Sequence, residues 1–130
     1  MASHDGVKTV TLTAGAAVTN GHLVAVSAAR TVIETAAVTD VVVGVAAESV
    51  ASGSDVPVAL LQGIVEVEAG TGGVTAGEVC VPDATGTVTG VTGTGGLAAD
   101  QMGIGIALNT AVVGEIFEML AQPTAAPHSV

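Results

Sequence analysis

The side chains that could do chemistry are few: three histidines, one cysteine, and twelve acids set against two bases. His4 and Asp5 are adjacent, His22 follows a turn glycine, and His128 lies near the C-terminus. No His-x-x-x-His, Cys-x-x-Cys or Asp-rich calcium loop joins them, so no metal site is expected, and His4-Asp5 reads as a solvated pair. Glu66 and Glu68 alternate with Val65 and Val67, which puts both carboxylates on one strand face about 7 Å apart, a spacing open to glycosidic acid–base chemistry. Sugar sites also need aromatic platforms, and the chain has one Phe and no Trp or Tyr. The expectation is a solvated acidic strand face that discourages edge-to-edge pairing. Glu115 and Glu118 form a second acidic pair without a partner base nearby in sequence.

Cys80, in Glu78-Val79-Cys80-Val81-Pro82, has no neighbouring histidine to activate it and reads as a buried strand residue. Lys8-Thr9 follows Val7 rather than glycine, so no phosphate loop is present. Gly103-Ile104-Gly105 lacks the third glycine and the βαβ setting of a dinucleotide turn. No catalytic group, cofactor or metal is therefore expected, and the chain reads as a non-enzyme.

Composition sharpens the exclusion. A net charge of −10 on 130 residues repels a phosphate backbone, so neither nucleic acid nor an anionic membrane surface is an expected partner. The purest apolar run, Val41 to Ala47, is far shorter than the roughly 20 residues of a spanning helix. Residues 1–6 show neither the basic nor the apolar region of a signal peptide, which predicts a protein made and kept in a cytoplasm.

The elements that must position these residues are strands. Apolar residues recur at every second position in Val7 to Thr13, Val56 to Leu61 and Val65 to Glu68, and 18 glycines punctuate the runs. Ten short strands are expected near 7–13, 22–27, 31–35, 41–47, 55–61, 63–68, 78–82, 86–91, 102–108 and 115–120, with helical turns only at Ala47 to Ser52 and Asn109 to Val113. The chain is also duplicated. Val18-Thr19-Asn20-Gly21-His22-Leu23 and Val74-Thr75-Ala76-Gly77-Glu78-Val79 share one pattern at an offset of 56 (18 to 74). Val43-Gly44-Val45-Ala46 and Ile104-Gly105-Ile106-Ala107 share another at an offset of 61 (44 to 105), each followed nine residues on by Gly53 or Gly114. The drift predicts an insertion within Gly86 to Gly96. Gly44 and Gly105, inside otherwise regular strands, predict a corner where each half folds over the other. The expected architecture is a compact all-β barrel or tulip-like domain over 7–122, built of pseudo-repeats 8–62 and 63–120. An N-terminal arm, 1–6, and a Pro/Ala-rich tail, 123–130, flank it.

The order of strand, Ala-Gly, Val-Thr-x-Gly-x-aliphatic, aliphatic-Gly-aliphatic-Ala, then Gly-acid into a strand (Gly53-Ser54-Asp55-Val56, Gly114-Glu115-Ile116) resembles the capsid decoration, or cement, proteins of tailed bacteriophages. The resemblance spans roughly residues 8 to 120. It implies a β body on the outside of an HK97-fold capsid, a homotrimer, the major capsid protein as partner, and an N-terminal segment that pairs with capsid strands. By position, that segment is Met1, Ala2, Ser3, His4, Asp5, Val7, Lys8 and Val10. Gly21, Gly44, Gly53, Gly77, Gly105 and Gly114 are the expected structural glycines, and Phe117 and Met119 are expected in the core or at a subunit contact. High hydropathy without a membrane segment fits surface left for neighbours to cover. The competing reading is an adhesion or carbohydrate-binding module on a phage head or bacterial surface.

Overall fold

A computed structural model of the chain describes residues 8–36, 42–83, 85–91 and 103–121. The arm, the tail, His4, Asp5 and His128 lie outside the described residues. Ten strands run in order: β1 (Thr9–Ala14), β2 (Leu23–Ala28), β3 (Thr31–Glu34), β4 (Gly44–Ala46), β5 (Asp55–Leu60), β6 (Ile64–Glu68), β7 (Val79–Pro82), β8 (Val88–Val91), β9 (Gly105–Ala107) and β10 (Ile116–Ala121). Each falls on an expected strand, because β-branched side chains at alternate positions suit a pleat with one face buried. In β10, Phe117 and Met119 point inward while Ile116 and Glu118 point outward. The two expected helical turns are not helical: Ala47 to Ser52 and Asn109 to Val113 are bends around single bridges, Val18 to Val50 and Val74 to Ala111.

The fold is all-β. The first half, β1 to β5, is a closed barrel in the order β1-β3-β2-β4-β5, in which β1 is parallel to β3 and antiparallel to β5. The second half is a five-stranded sheet in the order β6-β10-β9-β7-β8, the same neighbours with every strand number raised by five. The parallel seam is a ladder in the first half (Ala14 opposite Val32) and a single bridge in the second (Ala69 opposite Val88). Backbone bonds repeat with it: Gly15 N–H to Val32 O and Gly70 N–H to Val88 O, Gly53 N–H to Ala14 O and Gly114 N–H to Ala69 O. Val26 pairs with Val32 as Pro82 pairs with Val88, so the offset of 56 holds through β8 and the insertion falls between β8 and β9.

Gly21, Gly53, Gly77 and Gly114 take φ of +87°, +88°, +92° and +90°, a region that glycine enters without strain. Gly44 and Gly105 answer a different demand, and here the expected corner between halves is corrected. A Cβ on Gly44 would strike Ala59 O and Val58 of its own barrel, and one on Gly105 would meet Leu120 O at 2.6 Å and Met119 Cγ at 2.7 Å. Each glycine lets β4 or β9 close against the next strand of the same half.

The core forms two clusters. One, inside the first barrel, includes Ala14, Val24, Val32, Val56 and Val58. The other holds Val65, Val67, Cys80, Val88, Phe117 and Met119 of the second half together with Leu23 and Val45 of the first. Burial of each such side chain stabilises by about 1.5–3 kcal/mol, and the shared cluster makes the halves one packed unit.

Candidate functional site

Three titratable side chains, His22, Glu34 and Glu68, meet at the junction of the halves. His22 follows the left-handed Gly21, whose turn carries the ring across to β6: Glu68 N–H donates to Gly21 O at 3.0 Å, and Leu23 N–H donates to Gly86 O at 2.6 Å. The ring is largely buried. Its Nε2 lies 3.1 Å from Glu68 Oε1, and its Nδ1 lies 2.8 Å from Glu34 Oε2. The second contact is an ion-pair approach whose angle falls short of a hydrogen bond, leaving buried Nδ1 without one. Glu34 Oε2 also accepts from Thr19 N–H at 2.8 Å. Facing a carboxylate at both nitrogens, the ring serves both only when both carry protons. Bonded through Nε2 to Glu68 and approached at Nδ1 by Glu34, the ring makes the cluster a clasp between β3 of one half and β6 of the other. Its residues were individually visible in sequence, but Glu34 was not singled out, and no local spacing joins it to His22 and Glu68.

The expected carboxylate pairs are rearranged. Glu66 and Glu68 share an outward face but do not act together: Glu68 turns to His22, and Glu66 lies directly opposite Glu118 on β10. Both Glu66 and Glu68 are partly buried, so the face is not simply a solvated one. Glu115 holds its own turn by accepting from Val112 N–H at 3.0 Å. Cys80 is buried on the inner face, where burial first and the Glu78 carboxylate second push its thiol up to about 12, which keeps it protonated and unreactive. Among the described residues no group of three or more His, Cys, Asp or Glu is arranged to hold a metal. A shallow groove of about 380 Å³ between Gly72 to Thr75 and Thr110 to Val113 has no titratable side chain in its lining.

Of the expected capsid-contact residues, Met1, Ala2, Ser3, His4, Asp5 and Val7 lie outside the described residues. Lys8 and Val10 are exposed, but their backbone is engaged: Lys8 O accepts from Leu60 N–H at 2.9 Å, and Val10 stands opposite Val58 in the β1–β5 ladder. β1 pairs with β5 over Thr9 to Thr13 but with β3 only at Thr13 and Ala14, so the ladder on its β3 side does not reach Lys8 or Val10. Phe117 and Met119 are buried in the shared cluster.

The outer faces of the two halves differ. Across the second sheet, Val91, Val79, Ile106, Leu120 and Ile64 stand opposite one another in turn, all partly exposed. The corresponding row of the first half is Thr35, Leu23, Val45, Ala59 and Thr9, of which the first four are buried and Thr9, at its end, is exposed.

A search of curated proteins returns no match to the sequence. Among solved structures, the chain is similar to the head fiber gp8.5 N base of bacteriophage phi29, with a TM-score of 0.68, 18% identity, and coverage of 89% of this chain and 94% of that one. At that identity the likeness is one of fold. A family model described as phage cement protein matches residues 2–121, which include both halves and the junction between them, so the chain belongs to the phage cement protein family.

Proposed function

We propose that the chain is a structural protein of the phage head that binds the exterior of the expanded capsid and stabilises the major capsid protein lattice against the pressure of packaged DNA. The observation that carries this is the family match over residues 2–121. The described surface is consistent with it: Glu68 is tied to a histidine and Glu115 to its own turn, and the groove between Gly72 to Thr75 and Thr110 to Val113 carries no titratable side chain. A ligand with affinity for the assembled lattice and none for dissociated subunits stabilises the lattice by mass action.

Two further elements belong to the proposal. The chain acts as a homotrimer, in which three weak contacts add through effective concentration by roughly 10²–10⁴. Residues 1–10 supply one contact per chain by pairing with a capsid strand. The protein is made in the host cytoplasm and ends on the outside of the virion. Co-sedimentation with empty expanded shells of the parent phage tests the reading: saturable binding that raises the shell's melting temperature is expected, and failure to sediment with any shell overturns it. Deletion of residues 1–6, which leaves the β1–β5 ladder whole, is expected to keep the fold and weaken binding at least tenfold.

The likeness to a head fiber base favours one alternative, a module that seats an adhesive fibre on the head. Decorated heads would then adsorb to cells or glycans better than bare ones, with no change in shell stability.

A further inference from the structure

The geometry points to the outer face of β6, β10 and β9 as the surface that meets the capsid, with a lysine or arginine of the shell, set among aliphatic side chains, as the group it receives. This rests on the capsid-binding reading above and names where on the body the contact is made.

Three observations carry it. The row Val91, Val79, Ile106, Leu120 and Ile64 crosses all five strands of the second sheet and is partly exposed. Its counterpart in the first half already serves as an interface: Leu23 and Val45, 0% and 1% exposed, pack into the second half's core, and Thr35 Oγ1 approaches Asp83 O at 3.4 Å. The same row is therefore covered at four of its five positions in one copy, with only Thr9 exposed, and left partly exposed and aliphatic at all five in the other. One strand step along, Glu66 stands directly opposite Glu118, whereas the first half has Thr11 opposite Pro57. The fold accepts neutral residues at this pair of positions, yet the second copy carries two like charges there, an arrangement that destabilises an antiparallel pair in the free protein. A cation placed between them relieves it.

The charge also selects the occupant. A second copy brings the same net −10 and only Lys8 and Arg30 as bases, and Arg30 already donates from Nη2 to Thr11 O at 3.2 Å. A foreign protein surface with a basic group is the complementary match.

Carboxylate footprinting of the full chain tests this, with a carbodiimide and glycine amide as probe and mass spectrometry as readout, free and bound to empty expanded shells. Labelling of Glu66 and Glu118 is expected to slow about tenfold on the shell, while Glu48 and Asp55 of the first half keep their rates. Equal labelling of Glu66 and Glu118 in both states overturns the assignment. So does protection that appears in free protein on raising its concentration, which gives the face to a second copy. In parallel, Glu118→Lys and Ile106→Thr are each expected to weaken shell binding about tenfold or more with the melting temperature little changed, and Thr11→Lys to leave it intact. Wild-type protein that fails to sediment with shells takes down the capsid reading and this face together. Shell binding with Glu118 unprotected takes down the face alone.

Discussion

At the scale of single residues, the inner face of the second sheet holds one group whose titration reports on folding. The Cys80 thiol ordinarily titrates at 9.0 and is pushed up to about 12, by burial and then by Glu78. A folded-state value above the unfolded one means that the protonated thiol's contribution is complete below pH 9 and is lost as pH rises toward 12. Urea unfolding at pH 8, 9.5 and 10.5 is expected to show wild-type stability falling up to about 1.4 kcal/mol per pH unit more steeply than that of Cys80→Ala above pH 9. Parallel curves would refute the buried-thiol account. The neighbouring residues show why some identities are legible and others are not. Cys80 reads as buried because Val79 and Val81 flank it in a strand, a local pattern. Glu68 reads as one of a local pair and is instead the partner of His22, 46 residues away, since the Val-Thr-x-Gly motif at Gly21 marks a turn without encoding which distant strand the turn meets.

At the scale of elements, the two kinds of glycine make separable predictions. A Cβ on Gly53 would meet nothing within 4 Å, so Gly53→Ala pays only for its φ of +88°, about 1–2 kcal/mol. Gly105 has ordinary φ but abuts Leu120 O and Met119, so Gly105→Ala is expected to cost about 1–3 kcal/mol through overpacking, and Gly105→Val clearly more. Gly53→Leu, unbranched at Cβ, should add little to the cost of Gly53→Ala. Denaturant midpoints of the four variants check this, and an equally graded response at both sites would count against the distinction. All ten strands were legible because Val, Thr and Ile alternate within each run and glycines end it. The duplication was legible too, from Val-Thr-x-Gly and aliphatic-Gly-aliphatic-Ala. Strand pairing was not, because the partners of β6 and β1 are the last strands of their halves and no short-range pattern encodes them. For the same reason Glu66 opposite Glu118 went unseen, and the role of Gly44 was assigned to the wrong neighbour.

At the scale of the whole molecule, Leu23 and Val45 complete a core that otherwise belongs to the second half, and the His22 clasp lies beside them. The halves should therefore unfold in one transition despite their separate sheets. His22→Ala is expected to lower stability by about 1–3 kcal/mol, because Glu68 loses its hydrogen-bond partner and Glu34 its contact with the ring. Calorimetry checks both expectations: two resolved transitions in the wild type would show that the shared core does not couple the halves. The order of strands has a consequence for how the chain comes to be folded at all. β5 closes the first barrel between β4 and β1 as soon as Leu60 has been made, but β6 finds its ladder partner only in β10. During synthesis the first barrel can close while Ile64 to Glu68 stays without its ladder partner until Ala121 emerges. Such non-local pairing is slow, and the acids on that waiting strand keep like strands of neighbouring nascent chains apart.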